Sequence, residues 1–161
     1  MSIKIFTTGG TIDKLYFDAK SEFQVGKPQI GELLDEANVT FDYEVQPIMG
    51  KDSLDLTDDD RRLIADALRA ETSTRILVTH GTDTIVETAR KLLSIEGKTI
   101  VLTGSMQPAR LRVSDAVFNI GYAMAATQLL PPGVYIAMNG RIFDPQLARK
   151  NVDLNRFEDA S

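Results

Sequence analysis

Short apolar clusters at residues 3–8, 41–48, 75–80, 99–103 and 134–138 alternate with longer stretches whose apolar positions recur at helical spacing, at 29–37, 58–70, 84–93 and 114–128. Strands of four to eight residues alternating with helices build βαβ units, and βαβ units build a mostly parallel sheet covered on both faces. The pattern therefore predicts a doubly wound α/β domain, a three-layer αβα arrangement of Rossmann-like or flavodoxin-like type.

Local signals sharpen the boundaries. Thr57 followed by Asp58, Asp59 and Asp60 is a hydroxyl cap with an acidic first turn, placed ahead of the apolar positions Leu63, Ile64, Ala67 and Leu68. The acidic triplet suits a helix N-terminus better than a metal cluster. Thr84 and Glu87 have the spacing of a second capping box. Residues 116–126 are apolar on more than one face, through Val117, Ile120, Ala123 and Met124, so this helix needs cover on two sides. A homodimer or homotetramer contact would supply that cover; so would neighbouring elements of the same chain. Pro131-Pro132-Gly133 and Asn139-Gly140 read as turns, and the polar residues 153–161 are expected at the periphery.

With 161 residues, the chain has the size of one domain, able to bury roughly 70% of its unfolded surface. Its net charge of -5, with no stripe of Lys or Arg, argues against a nucleic-acid partner. The lack of cysteine excludes disulfides and thiolate chemistry, and the single histidine, His80, leaves one candidate for a histidine base. No leader pattern and no bilayer-length apolar run are present, which predicts a cytoplasmic protein with no membrane partner.

Ligands of open parallel sheets settle beyond the carboxyl ends of the strands. Four polar stretches follow predicted strands: Gly9-Gly10-Thr11, Lys51-Asp52-Ser53, His80-Gly81-Thr82-Asp83-Thr84 and Gly104-Ser105-Met106-Gln107. The first lies in TTGGTIDKLYF, which lacks both the G-x-G-x-x-G and the GxxxxGK[ST] patterns of phosphate binding. Its glycines read either as a backbone nest or as a tight turn capped by Thr11. A threonine hydroxyl needs a base or a polarising neighbour to act as a nucleophile. Tyr16 could approach Thr11 if residues 13–23 form a lid, and otherwise packs as an ordinary amphipathic residue. Thr82 beside Asp83 offers a second hydroxyl or a helix cap, and Lys150 either polarises that pair or is solvated.

Taken together, TTGGTID at Thr11, KDSLDLT at Ser53, HGTDTIVETA at Thr82, LTGSMQPAR at 102–110, SDAVFNI at 114–120 and ARKN at Lys150 resemble, in order, the amino-terminal domain of the bacterial-type L-asparaginase family, particularly its short, single-domain members. That resemblance implies hydrolysis of L-asparagine to L-aspartate and ammonia, often with glutaminase activity, and requires no metal or organic cofactor. It implies Thr11 as nucleophile, Tyr16 as the assisting tyrosine, and Thr82, Asp83 and Lys150 as the second catalytic group. Larger members carry that tyrosine later, where this chain has Phe23. Gly10, Gly81, Asp52, Ser53, Ser105 and Met106, with Thr82 and Asp83, would line the substrate. Hydrolysis of other small amides, an amino-acid-binding module and an amidase subunit are the competing expectations. Larger members continue into a second domain that contributes an acidic residue to the substrate, so a domain acting alone is expected to bind more weakly or with altered specificity.

Overall fold

The computed structural model describes residues 1–17 and 22–160. Its centre is a six-stranded sheet of β1 (Ser2–Gly9), β4 (Asp42–Lys51), β5 (Arg75–Thr79), β6 (Thr99–Thr103), β7 (Gly133–Met138) and β8 (Arg141–Phe143). The spatial order is β4-β1-β5-β6-β7-β8, parallel throughout except for the β7–β8 pair. The five parallel strands thus run in the flavodoxin-like order, and the chain reverses its direction of travel across the sheet at β1 and β5.

Alternation along each strand feeds two cores. Phe6, Ile76, Val78, Ile100, Leu102, Ile136 and Met138 face α2 (Asp58–Ala70) and α3 (Ile85–Lys91). Ile3, Ile5, Leu77, Val101 and Ala137 face α1 (Ile30–Glu36) and α4 (Ala116–Leu129). The predicted αβα layering is therefore observed, with boundaries shifted by a few residues. Among the described residues no helix is long and apolar enough to cross a membrane.

The Thr57 cap forms as predicted: its hydroxyl accepts from the Asp60 amide at 3.1 Å while Asp60 accepts from the Thr57 amide at 3.0 Å, a complete capping box. Asp60 also holds Lys51 at 2.9 Å, which explains the acidic first turn structurally. Ile64 and Leu68 are buried as expected, but Leu63 faces solvent. The second predicted box does not form. Thr84 instead donates its hydroxyl to the Ser53 carbonyl at 2.9 Å, a tertiary bond that takes it away from its own helix.

Two other departures concern short strands, while the predicted Asn139-Gly140 turn forms. Residues around Tyr16 form the hairpin of β2 (Lys14–Phe17) and β3 (Glu22–Val25), neither a helix nor an irregular loop; residues 18–21 of the expected lid lie outside the described residues. Asn139 and Gly140 both take positive φ, 53° and 70°, and turn β7 back into β8. The tail is not peripheral: β9 (Ala148–Asn151) pairs with β10 (Arg156–Asp159), and Phe157 packs on Phe143 with 3% exposure. Asn139 locks this hairpin to the sheet by accepting from the Phe157 amide at 2.8 Å.

On the opposite face, Ile120, Ala123 and Met124 of α4 are buried by the sheet, but Val117 and Phe118 remain about 60% exposed. Beside them a groove of about 280 Å³ runs between α1 and α4, with Leu33, Val39, Phe41, Val117 and Met124 on its walls. The apolar excess read from the sequence is thus only partly covered within the described residues.

Because Phe157 belongs to the core, Phe157→Ala should cost ~3–5 kcal/mol in urea unfolding. A change below ~0.5 kcal/mol is what a peripheral tail would give.

Candidate active site

The crevice between the ends of β1 and β5 is built on glycine. Gly9 and Gly10 hold φ of 103° and 86°, a region that side chains with a Cβ avoid. A Cβ on Gly10 would lie 2.5 Å from Cα and N of Gly81, so the two strand ends touch backbone to backbone. Gly81 in turn has no room for a Cβ, which would meet Ser53 Cβ at 2.5 Å. Three of the four polar stretches thereby converge on one point, joined further by the Gly10 amide donating to the Lys51 carbonyl at 2.9 Å.

Thr11 opens a single 3-10 turn, Thr11–Asp13, immediately beyond Gly10, and is half-buried. Across the crevice, Lys150 reaches from β9 and donates to Thr82 Oγ1 and to Asp83 Oδ1, each at 2.8 Å. Lys150 and Thr82 are largely buried; Asp83 is more open, its side chain 41% exposed. An ammonium only donates, so Thr82 accepts from Lys150 and its own hydroxyl proton remains free to point elsewhere.

Asp52 accepts from the Leu54 amide at 3.1 Å and pairs with Lys14 at 3.0 Å. Burial would raise its pKa, but the Leu54 amide and the Lys14 and Lys150 charges prevail and hold it below the ordinary carboxylate value. It is ionised at neutral pH. Ser53 is buried beside it. A cleft of about 370 Å³ opens here between the β2–β3 hairpin and the end of β4, with Lys14, Phe23, Gln24, Val25 and Asp52 on its walls.

Ser105 and Met106 follow β6 but present less than the sequence implies. The Ser105 hydroxyl is buried and donates to the Gln107 carbonyl at 2.5 Å, and the Met106 amide donates to Asp115 at 2.9 Å. Asp115 also accepts from the Gln107 amide and from Asn119, whose amide reaches the Gly104 carbonyl as well. This pair, four residues apart at the start of α4, shapes the loop; both residues lie in the SDAVFNI segment, but the sequence alone assigns neither a role.

Tyr16 is 53% exposed on β2 and stands directly opposite Phe23 on β3, ring centroids 5.6 Å apart. The two positions between which the family pattern leaves a choice are therefore cross-strand neighbours. The hairpin is pinned at its base by Asp13: its carbonyl accepts from the Gly26 amide at 2.8 Å and its carboxyl from the Gln29 amide at 2.9 Å. Burial pushes Asp13 up to about 7 despite the Gln29 bond.

His80, the lone histidine, is not placed to act as a base. It is fully buried, its Nδ1 lies 2.8 Å from the Gly81 carbonyl and its Nε2 2.7 Å from Thr88 Oγ1. Burial drives its pKa down to about 4, with the Arg61 charge adding to the effect and the Gly81 carbonyl opposing it.

A family model described as "Asparaginase, N-terminal" matches residues 2–158. The chain is 28% identical to a "Glutaminase-asparaginase" of Acinetobacter glutaminasificans, over 96% of its own length and 51% of that protein's. It is 33% identical to "L-asparaginase 2-3" of Saccharomyces cerevisiae, over 88% of itself and 42% of the relative. Among solved structures, the thermostable L-asparaginase from Thermococcus kodakarensis superposes with a TM-score of 0.85 at 26% identity, covering 99% of this chain and 51% of that one. The chain thus spans about half the length of these relatives.

A carboxyl raised in the folded state stabilises it fully below the unfolded pKa, 3.8 for Asp13, and that contribution is lost as pH rises through about 7. Asp13→Asn keeps the acceptor for Gln29 and removes the titration. Urea midpoints should show the variant gaining on the wild type between about pH 4 and pH 7, with a constant difference above. A difference independent of pH would mean that Asp13 is already ionised in the folded protein across that range.

Proposed function

The chain belongs to the asparaginase family, and on that premise we propose that it hydrolyses L-asparagine to L-aspartate and ammonia with Thr11 as the nucleophile. The observation that supports this reading is the contact of Gly10 with Gly81 at the switch point of the sheet, Thr11 following the one glycine and Thr82, held with Asp83 by Lys150, following the other.

In this reading Thr11 Oγ bonds to the side-chain amide carbon, giving a tetrahedral oxyanion that backbone N–H groups of the crevice stabilise. The threonine proton passes to the amide nitrogen, the C–N bond breaks and ammonia leaves. Water then adds to the ester, and Thr11 Oγ departs with a proton. In this reading the Thr82 hydroxyl, whose proton the Lys150 contact leaves free, and the Tyr16 phenol on the hairpin handle the protons. Ionised Asp52 repels a carboxylate and suits the substrate ammonium, together with Asp83; Ser53 and Gly81 suit the α-carboxylate, and the Ser105-Met106 loop the side-chain amide.

Glutamine is the second substrate to consider, since one relative carries the name glutaminase-asparaginase. The half-covered apolar face of α4 and the adjoining groove support a homodimer or homotetramer.

Purified protein should release ammonia from L-asparagine, and Thr11→Ala should lose ~10³-fold or more in kcat with unchanged circular dichroism. Lys150→Met should fall comparably. Near-wild-type turnover in Thr11→Ala defeats the nucleophile assignment. Saturable asparagine binding without ammonia release would instead mark an amino-acid-binding module, and L-glutamine and the D isomers run in parallel define the substrate range. Sedimentation equilibrium should show a dimer or tetramer, weakened by Phe118→Glu; monomer alone at micromolar concentration overturns the oligomer.

A further inference from the structure

We propose that Arg61, Thr88 and His80 form a buried, one-directional hydrogen-bond relay that fixes the Gly81 peptide and so positions Thr82 against the Thr11 turn. The proposal deepens the asparaginase reading and rests on it for its catalytic consequence, though the relay itself does not.

The direction of every bond follows from chemistry. Arg61 Nε can only donate, so Thr88 Oγ1, 3.3 Å away, accepts from it. The Gly81 carbonyl can only accept, so His80 Nδ1 at 2.8 Å carries the proton. A neutral imidazole protonated on Nδ1 has a bare Nε2, and the one hydroxyl proton of Thr88, 2.7 Å away, fills it. With His80 neutral, as burial keeps it at neutral pH, no other assignment satisfies all three contacts. Thr88 and His80 have no exposed surface and Arg61 is 6% exposed, so a member left without its partner is costly.

What the relay holds is the tightest point of the site. Gly81 abuts Gly10 on one side and Ser53 on the other, and Thr82 follows it in the chain. A rotation of the Gly81 peptide would push its atoms into one neighbour or the other and carry Thr82 away from Lys150. The relay runs from α2 through α3 to the end of β5, tying the site to the helical layer behind it. Thr84, one turn before Thr88 on the same stretch, holds the Ser53 carbonyl, so one helix start governs both neighbours of the crevice.

His80 is the chain's only histidine, which makes the test unambiguous. Nitrogen NMR of protein labelled with 15N-histidine should give one pyrrole-like signal correlated through Nδ1 and one pyridine-like Nε2 at neutral pH; a dominant Nε2–H tautomer overturns the relay. For the catalytic consequence, Thr88→Val, isosteric but without the hydroxyl, should lower kcat for asparagine by ~10-fold or more with KM within ~2-fold, and Thr88→Ser should recover most of the loss. His80→Asn, which can present its amide N–H where Nδ1–H stood, should exceed His80→Leu by ~10-fold in kcat. Wild-type kcat in Thr88→Val overturns the positioning role. If the wild type hydrolyses no asparagine, the asparaginase reading fails on its own, and the tautomer measurement still decides the relay.

Discussion

The contact of Gly10 with Gly81 is the constraint on which the rest of the site depends. Two strand ends approach closely enough that Gly10 has no space for a methyl group, Ser53 occupies the space that one on Gly81 would need, and interiors packed to crystal-like density do not open to admit either. That approach joins the residues preceding Thr11 and Thr82, although 71 positions separate the two threonines in the chain. It also explains the investment around it: Lys51 holds the Gly10 amide, Ser53 fills the far side of Gly81, and Thr84 holds Ser53.

Electrostatics follow the same plan. The cations of the site are each committed: Lys14 to Asp52, Lys150 to Thr82 and Asp83. Lys150 comes from the tail hairpin rather than from the parallel sheet, and that hairpin is kept in place by Phe157 in the core and by Asn139 at the β7–β8 turn. A turn residue on the sheet thus supports a charge at the crevice through two intermediate strands.

Much of this was legible in the sequence because long elements carry long patterns. The five parallel strands and four helices are fed by apolar residues with a repeat, and the Thr57 box has both of its partners within four residues. What failed to register is short or borrowed. β2, β3, β9 and β10 have four residues each, too few to set up a period, and Phe157 is a single apolar residue in a polar run. Thr84 with Glu87 satisfies the local rule for a cap, but a carbonyl 31 residues away outcompetes the helix for its hydroxyl. Asp115 and Asn119 act on a loop, and His80 acts on its own neighbour, through geometry that only the folded chain creates.

The hairpin that follows Thr11 has a consequence for how such sites diverge. Tyr16 and Phe23 occupy opposing positions on paired strands, so their rings cover the same patch of space although seven residues separate them. A phenol could migrate from one strand to the other by two single-base changes of side chain, with no movement of the backbone, and remain in the same patch of space. Alignment column and spatial location are then different coordinates, and a tyrosine that appears lost from one column has a second address at which to be found.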